Sequence, residues 1–224
     1  MAKTHVYFVP GLAANGKIYE RIQLDPSKYV CHFLEWKIPE SKNESIESYA
    51  ERMCEDVKHE NPILIGVSFG GIMVQEMSKI ISTKKVIIIS SIKTNVEYSK
   101  KLKFIAATKV YKLLPLHVLQ NLDTYIFYVN RKNTKNKIAA YKRYLSIRNS
   151  TYLHWAMHNV LHWKQHNIMQ NVTHIHGTND GIFPSKKMTN YKKIEGGTHA
   201  MILSKAKKIT EEIEQILSCQ YHSN

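Results

Sequence analysis

The stretch that most constrains the fold is residues 62–81, where a short apolar run passes directly into an amphipathic helix. The run "PILIGV" contains no polar side chain, which is typical of a parallel strand covered on both faces. "FGGIMVQEMSKII" follows with its apolar residues at helical spacing. Because a strand that feeds straight into a helix begins a crossover connection, the chain is predicted to build a parallel sheet.

The same alternation of strands and helices continues on both sides of this stretch. The other predicted strands are "THVYFVP", "YVCHFLEW", "KKVIIIS", "VTHIHG" and "YKKIEG", which are rich in β-branched and aromatic residues. A helix is predicted after Ser45, which is available as its cap, and another near the end of the chain in "SKAKKITEEIEQIL". The sequence therefore predicts an α/β fold with a doubly wound, mostly parallel sheet of six strands.

Residues 93–168 interrupt this alternation. They contain no glycine and a single proline, and their pattern is helical. We therefore expect a core formed by 1–92 and 169–224, with 93–168 as an inserted all-helical segment. Residues 93–164 contain 14 Lys and Arg against two acidic residues, a net of +12 out of +14 for the chain. Such a segment favours an anionic partner or substrate, although a lysine-rich surface that only confers solubility gives the same pattern.

Composition excludes several classes. The three cysteines are far apart and form no C-x-x-C pair, which argues against a disulfide framework and a zinc knuckle and favours a reducing compartment. The N-terminus leaves no room for a signal peptide, and no apolar run is long enough for a membrane span. The expectation is a cytoplasmic protein. No motif indicates specific binding of nucleic acid.

Ser68 lies at the centre of "GVSFGG", between the predicted strand and helix. Gly66 and Gly70 allow the strand and the helix to approach closely, which places the serine at the apex of a sharp turn. A strained serine of this kind is tolerated where its exposed hydroxyl has a use. A phosphate-binding loop is the alternative, but the lysine that such a loop requires is missing.

A serine nucleophile needs a base and an acid that orients the base. "HGTND" places Asp180 after one strand, and "GGTHAM" places His199 after the last. Since the carboxyl ends of parallel strands meet at one edge of a sheet, Ser68, Asp180 and His199 are expected to converge there. Glu195 is a second candidate for the acid, but it falls at the end of a strand instead of in the loop beyond it.

Through "GVSFGG", "HGTND" and "GGTHAM" the sequence resembles the serine-nucleophile branch of the α/β-hydrolase superfamily over essentially its whole length. The resemblance implies that Ser68 attacks an acyl carbon, that His199 carries the proton, and that Asp180 holds the imidazole. It also implies an oxyanion hole made by the backbone N–H groups of Phe69 and Leu12. Pro10 stands where this superfamily frequently has histidine, so any orienting role of that histidine is lost.

The superfamily commonly carries a helical cap at the position of residues 93–168, which would roof the nucleophile and shape the substrate pocket. Among the aromatic residues of the cap, Phe127 and Trp163 are the candidates for the pocket. "HWAMHNVLHWKQH" also repeats histidine every four residues, a spacing that can hold zinc on a helix. Without a nearby carboxylate or cysteine, and since serine chemistry needs no metal, no metal or cofactor is predicted.

The sequence thus predicts a serine hydrolase that cleaves a small carboxylic ester or thioester through an acyl-enzyme. Two alternatives stay open. One is an acyltransferase or esterase that acts on acyl groups carried by coenzyme A or an acidic carrier protein, which the basic cap favours. The other is a ligand-binding protein with little turnover, which keeps the same fold and residues.

Overall fold

The structure is a computed structural model that describes residues 3–113 and 143–218. Within these residues the sheet has six strands, in the order β2-β1-β3-β4-β5-β6, and all neighbouring pairs are parallel. The strands are β1 (Thr4–Val9), β2 (Tyr29–Phe33), β3 (Ile63–Val67), β4 (Lys85–Ile89), β5 (Val172–Gly177) and β6 (Lys192–Ile194). The predicted α/β class and six-stranded sheet are confirmed, and the sheet is wholly instead of mostly parallel.

The helices of the described residues follow the predicted alternation. They are α1 (Ile46–Cys54), α2 (Phe69–Ile80), α3 (Lys100–Thr108), α4 (Ser150–His162), α5 (Met201–Ser204) and α6 (Ala206–Ser218). Short 3-10 helices lie at Gly16–Tyr19, Asn95–Glu97, Val110–Leu113 and Ser185–Lys187. Ser45 caps α1 as predicted, because its side chain accepts a hydrogen bond from the Ser48 N–H at 3.0 Å.

The sheet is covered on both faces, as a doubly wound fold requires. Tyr7 and Val9 of β1 point towards α1, α2 and α4, whereas Val6 and Phe8 point towards α5 and α6. This alternation follows from the two-residue repeat of a strand. All residues of β3 are buried, which explains why this strand reads as a continuous apolar run.

The described parts of the predicted cap contain helices joined by irregular stretches, and they are not a separate hydrophobic unit. Trp155 of α4 stacks on Tyr49 of α1 with ring centroids 4.1 Å apart, and its indole N–H donates to the Glu44 carbonyl at 2.8 Å. α4 therefore packs into the same core as α1 and α2. The middle of the predicted cap lies outside the described residues, and Phe127 with it.

Candidate active site

Ser68 occupies a one-residue turn between β3 and α2. Its backbone lies at φ 54° and ψ −117°, a region that non-glycine residues rarely adopt because of steric strain. The turn is held on both sides: the Ser68 N–H donates to the Ile89 carbonyl at 2.9 Å, and the Ser91 hydroxyl donates to the Ser68 carbonyl at 2.7 Å. The hydroxyl of Ser68 is consequently fixed at the carboxyl edge of the sheet.

Two glycines make this turn possible, as the sequence predicts. A Cβ on Gly66 would lie 2.1 Å from the Gly70 carbonyl oxygen, and a Cβ on Gly70 would lie 2.2 Å from the Val9 carbonyl oxygen. Both distances are far shorter than a van der Waals contact, and the atoms concerned belong to the backbone, which cannot move aside. Any side chain at either position would push α2 away from the sheet and displace Ser68.

Ser68, His199 and Asp180 form a continuous chain of hydrogen bonds. The Ser68 Oγ lies 2.9 Å from the His199 Nε2, and the His199 Nδ1 lies 2.9 Å from the Asp180 Oδ2. Since an ionised carboxylate can only accept, Nδ1 carries the proton and Nε2 is left to accept from the hydroxyl. His199 keeps 28% of its side chain exposed, whereas the Asp180 side chain has no exposed surface.

Asp180 stays ionised although it is buried. Burial by itself raises the pKa of Asp180, but hydrogen bonding to His199 and the nearby imidazole outweigh it and lower the pKa below its usual range. The Asp180 Oδ1 also accepts from the N–H groups of Ile182 and Phe183 at 2.8 and 2.9 Å. Both carboxylate oxygens are therefore satisfied, and the acid is fixed in the orientation that holds the imidazole.

The two predicted oxyanion-hole residues both lie just beyond the carboxyl end of a strand. Phe69 is the first residue of α2, and Leu12 lies in the turn after β1. Within the described part of the chain, neither backbone N–H donates to a protein acceptor. Gly11 packs against the turn, since a Cβ added to it would lie 3.5 Å from the Ser68 Cβ. The turn that carries Leu12 therefore lies against Ser68.

Residues 143–147 hold the turn after β1, a contact that the sequence did not reveal. The Asn15 N–H donates to the Tyr144 carbonyl at 2.9 Å, and the Asn15 amide donates to the Arg143 carbonyl and the Ser146 hydroxyl. The Ile147 N–H donates to the Ala13 carbonyl at 3.0 Å. Residues 143–147 therefore fix the turn that carries Leu12.

A buried histidine pair lies behind the acid and was also missed. The His176 Nε2 donates to the Phe183 carbonyl at 2.8 Å, so its Nδ1 has no proton and accepts from the His174 Nε2 at 3.0 Å. Burial, with His176 close by, lowers the pKa of His174 well below its usual range. The pair is neutral. It holds the carbonyl group of Phe183, and the N–H groups of Ile182 and Phe183 donate to Asp180.

The other predicted site residues lie elsewhere. The alternative acid, Glu195, is exposed, and its carboxylate accepts from the Thr178 hydroxyl at 3.4 Å. Trp163, a candidate for the pocket, is 4% exposed, belongs to the core cluster and donates its indole N–H to Glu76 of α2 at 2.6 Å. The structure brings the predicted triad together and places Trp163 in the core against Glu76 of α2.

The predicted stripe of histidines is only partly a helix face. α4 ends at His162, so His166 lies beyond the helix, where it is exposed. The rings of His158 and His162 stack with centroids 4.4 Å apart, and the Tyr111 hydroxyl lies 2.8 Å from the His158 Nδ1. These contacts pack the end of α4 against the 3-10 helix that follows α3.

Comparison with known proteins finds the same architecture in several solved structures. A carboxylesterase from Nitrososphaera gargenis has a TM-score of 0.70 at 15% identity, covering 97% of this chain and 90% of that one. An esterase from Thermogutta terrifontis has 0.67 at 13% identity, covering 97% and 90%. A bromoperoxidase from Bacillus anthracis has 0.67 at 17% identity, covering 97% and 92%.

No protein-family model matches the chain, and no curated protein matches it in sequence. In the described residues, none of the helices combines the length and apolarity that crossing a bilayer requires. The likeness to solved structures spans nearly the full length of each chain, and it includes the parallel sheet that brings Ser68 to its carboxyl edge. The chain therefore has the α/β-hydrolase fold.

Proposed function

We propose that the protein is a serine hydrolase that cleaves carboxylic esters or thioesters through an acyl-enzyme. The observation that carries this proposal is the unbroken hydrogen-bond chain from the Ser68 Oγ through His199 to Asp180, each step 2.9 Å. It starts from a serine held in a strained turn. A fold does not by itself define an activity, so the proposal depends on this site.

The first half of the reaction would form the acyl-enzyme. The His199 Nε2 takes the hydroxyl proton as the Ser68 Oγ attacks the carbonyl carbon, and the carbonyl oxygen becomes an oxyanion. The free N–H groups of Leu12 and Phe69 receive that charge; one such donor typically stabilises the transition state by about 3 kcal/mol. His199 then delivers its proton to the leaving alkoxide or thiolate, and the bond to the leaving group breaks.

The second half would release the acid. Water takes the place of the leaving group, His199 removes its proton, and the resulting hydroxide attacks the acyl carbon. When the tetrahedral intermediate collapses, His199 returns the proton to the Ser68 Oγ. Asp180 stays ionised throughout and stabilises the imidazolium that forms in each half.

Two further observations bear on the substrate. The similar structures include proteins named carboxylesterase and esterase, which supports ester cleavage. An acyl group on coenzyme A or an acidic carrier is a second candidate, because Lys100, Lys101 and Lys103 are all exposed on α3. Cationic surfaces of this kind attract anionic substrates. The inserted segment would then act as a basic cap.

The proposal is tested with Ser68→Ala on p-nitrophenyl esters of increasing chain length and on acyl-CoA thioesters. Removing such a nucleophile costs on the order of 10⁶ in kcat, so activity should fall to background, while circular dichroism should show an unchanged fold. Ser82→Ala, which alters an exposed serine before β4, is the matched control. A fluorophosphonate should label the wild type and the control but not Ser68→Ala.

Activity above a few per cent in Ser68→Ala would remove Ser68 as the nucleophile. A wild-type protein that neither turns over any ester nor reacts with the fluorophosphonate would favour the ligand-binding alternative. Added alcohols or amines separate hydrolysis from acyl transfer, because an acyltransferase would form the new ester or amide in place of the free acid.

A further inference from the structure

Three histidines that are far apart in sequence meet on one face of the sheet, away from the candidate active site. His5 is the second residue of β1, and His32 in β2 pairs with Tyr7. Because side chains alternate along a strand and paired residues share a face, His5, Tyr7 and His32 project together. His59, from the loop between α1 and β3, completes the group. The triad lies instead beyond the carboxyl ends of the strands.

The three imidazoles lie close enough to share one ion. The His5 Nδ1 is 2.9 Å from the His32 Nε2, and one ligand nitrogen from each histidine lies within 4.8 Å of the others. Nitrogen ligands of a tetrahedral zinc ion are about 3.4 Å apart, given Zn–N bonds of about 2.0 to 2.1 Å. The His5–His32 pair would therefore part by roughly half an ångström around a metal.

The environment of two of these rings disfavours the charged imidazolium. Burial, with His59 close by, lowers the pKa of His5, and burial together with His5 and His59 lowers the pKa of His32. Only the neutral imidazole offers a lone pair to a metal. The rings of His5 and His59 stack at 3.4 Å, so they must tilt apart for both lone pairs to converge.

Tyr7 supplies the support that metal-binding histidines usually have. Its hydroxyl lies 2.6 Å from the His59 Nδ1 and accepts from the Lys58 N–H at 3.0 Å. The Tyr7 side chain is 2% exposed, so this partner is fixed. A hydrogen bond at one ring nitrogen orients the other towards the metal, which leaves the His59 Nε2 as ligand. The three histidines are half-buried, so an ion can reach them from solvent.

We propose that His5, His32 and His59 bind one divalent transition-metal ion, with Zn²⁺ as the natural occupant and water as the fourth ligand. A set of three imidazole ligands suits zinc, and a tetrahedral site with three protein ligands is common for it. This site is independent of the proposed hydrolase chemistry, because the hydrogen-bond chain of Ser68, His199 and Asp180 shares no residue with it.

The test is a titration of the EDTA-treated protein with Zn²⁺. Binding is measured by calorimetry, and stability is measured by thermal unfolding. We expect one equivalent to bind and to raise the Tm, and EDTA to reverse the rise. His5→Gln and His32→Gln should each weaken binding at least tenfold. Tyr7→Phe keeps all three ligands and should weaken binding about tenfold or more through lost orientation. His166→Gln, which removes an exposed histidine, is the matched control and should bind as the wild type does.

A second measurement distinguishes this site from surface binding. Co²⁺ in a tetrahedral site with nitrogen ligands absorbs visible light more strongly than hydrated Co²⁺ does, so the wild type should acquire these bands and His32→Gln should not. Equal Zn²⁺ affinity in the wild type and both ligand variants would overturn the proposal. Loss of binding in His158→Gln with retention in His32→Gln would also overturn it, because the ion would then lie on α4. Tm values measured in EDTA show whether each variant is folded.

Discussion

Charged groups at the carboxyl edge of the sheet are held by specific hydrogen bonds, whereas those on the surface of α3 are exposed to solvent. At the edge, both carboxylate oxygens of Asp180 and both ring nitrogens of His199 have defined hydrogen-bond partners. On and just after α3, the five lysines at positions 100, 101, 103, 109 and 112 are exposed. None of the five forms an ion pair with another described residue.

The difference predicts two kinds of response to mutation. A network of specific hydrogen bonds is broken by a single change, because a buried group is then left unpaired or wrongly protonated. A field from several exposed charges is additive and is screened by salt, so each lysine contributes little. A single substitution at the carboxyl edge should therefore remove most of the activity, whereas substitutions on α3 should lower the rate in proportion to the charge that is changed.

After Ser68→Ala, the largest expected effect comes from Asp180→Asn. An amide NH2 in place of the carboxylate oxygen cannot accept the hydrogen bond from the His199 Nδ1 and favours the wrong imidazole tautomer. The kcat should therefore fall by about 10⁴. Steady-state kinetics on a p-nitrophenyl ester would measure this loss.

Glu195→Gln is the matched control for the acid, since Glu195 is exposed and lies outside the hydrogen-bond chain. It should change kcat less than twofold. If Asp180→Asn is mild and Glu195→Gln is severe, the acid has been assigned to the wrong residue, and the carboxyl edge is not organised as described.

A smaller effect is expected when charge is reversed on α3. Lys100→Glu, Lys101→Glu and Lys103→Glu combined should lower kcat/KM for an acyl-CoA on the order of tenfold at low salt, because steering of anions is lost. The rate with a neutral p-nitrophenyl ester should change little. Raising the ionic strength from 0.01 to 0.15 M shortens the Debye length from about 30 to about 8 Å, so salt should reproduce the effect in the wild type.

Equal salt dependence for the anionic and neutral substrates would reduce the lysines to a solubility feature. The same conclusion would follow if the triple variant kept its full rate with acyl-CoA at low salt. In either case α3 would have no part in selecting substrates, and small neutral esters would be the remaining substrate class.

The smallest effect concerns stability and extends the comparison to the histidine pair behind Asp180. The pKa of His174 is lower in the folded protein than in the unfolded chain, so below about pH 6.5 the unfolded chain binds a proton that the folded protein does not. Stability is therefore complete above this pH and is lost as the pH falls. The free energy of unfolding should therefore fall between pH 7 and 5.

Urea denaturation at both pH values would measure the drop. His174→Gln keeps a donor for the His176 Nδ1 but does not titrate, so its free energy of unfolding should fall less over the same range. An equal fall in the wild type and His174→Gln would show that His174 is not the group responsible. The comparison of pH dependences is independent of any overall loss of stability in the variant.

Residues close in sequence were the most predictable. The six strands follow from runs of apolar residues, and the cap of α1 follows from a serine placed just before a helical pattern. Ser68, Asp180 and His199 lie far apart, yet their convergence was predictable because the carboxyl ends of parallel strands share one edge. Trp163 was not predictable, since nothing local distinguishes a tryptophan that lines a pocket from one that donates to a buried glutamate.

The sequence by itself determined the sheet, the strained turn at Ser68 and the residues expected beside it, because these depend on local periodicity and on the rule that orders parallel strands. Only the tertiary structure decided the clamp of residues 143–147 on the turn at Leu12, and the meeting of His5, His32 and His59. Strand register sets which side chains of β1 and β2 lie side by side, and loop packing places His59 over them. Neither strand register nor loop packing produces a periodic pattern in the sequence.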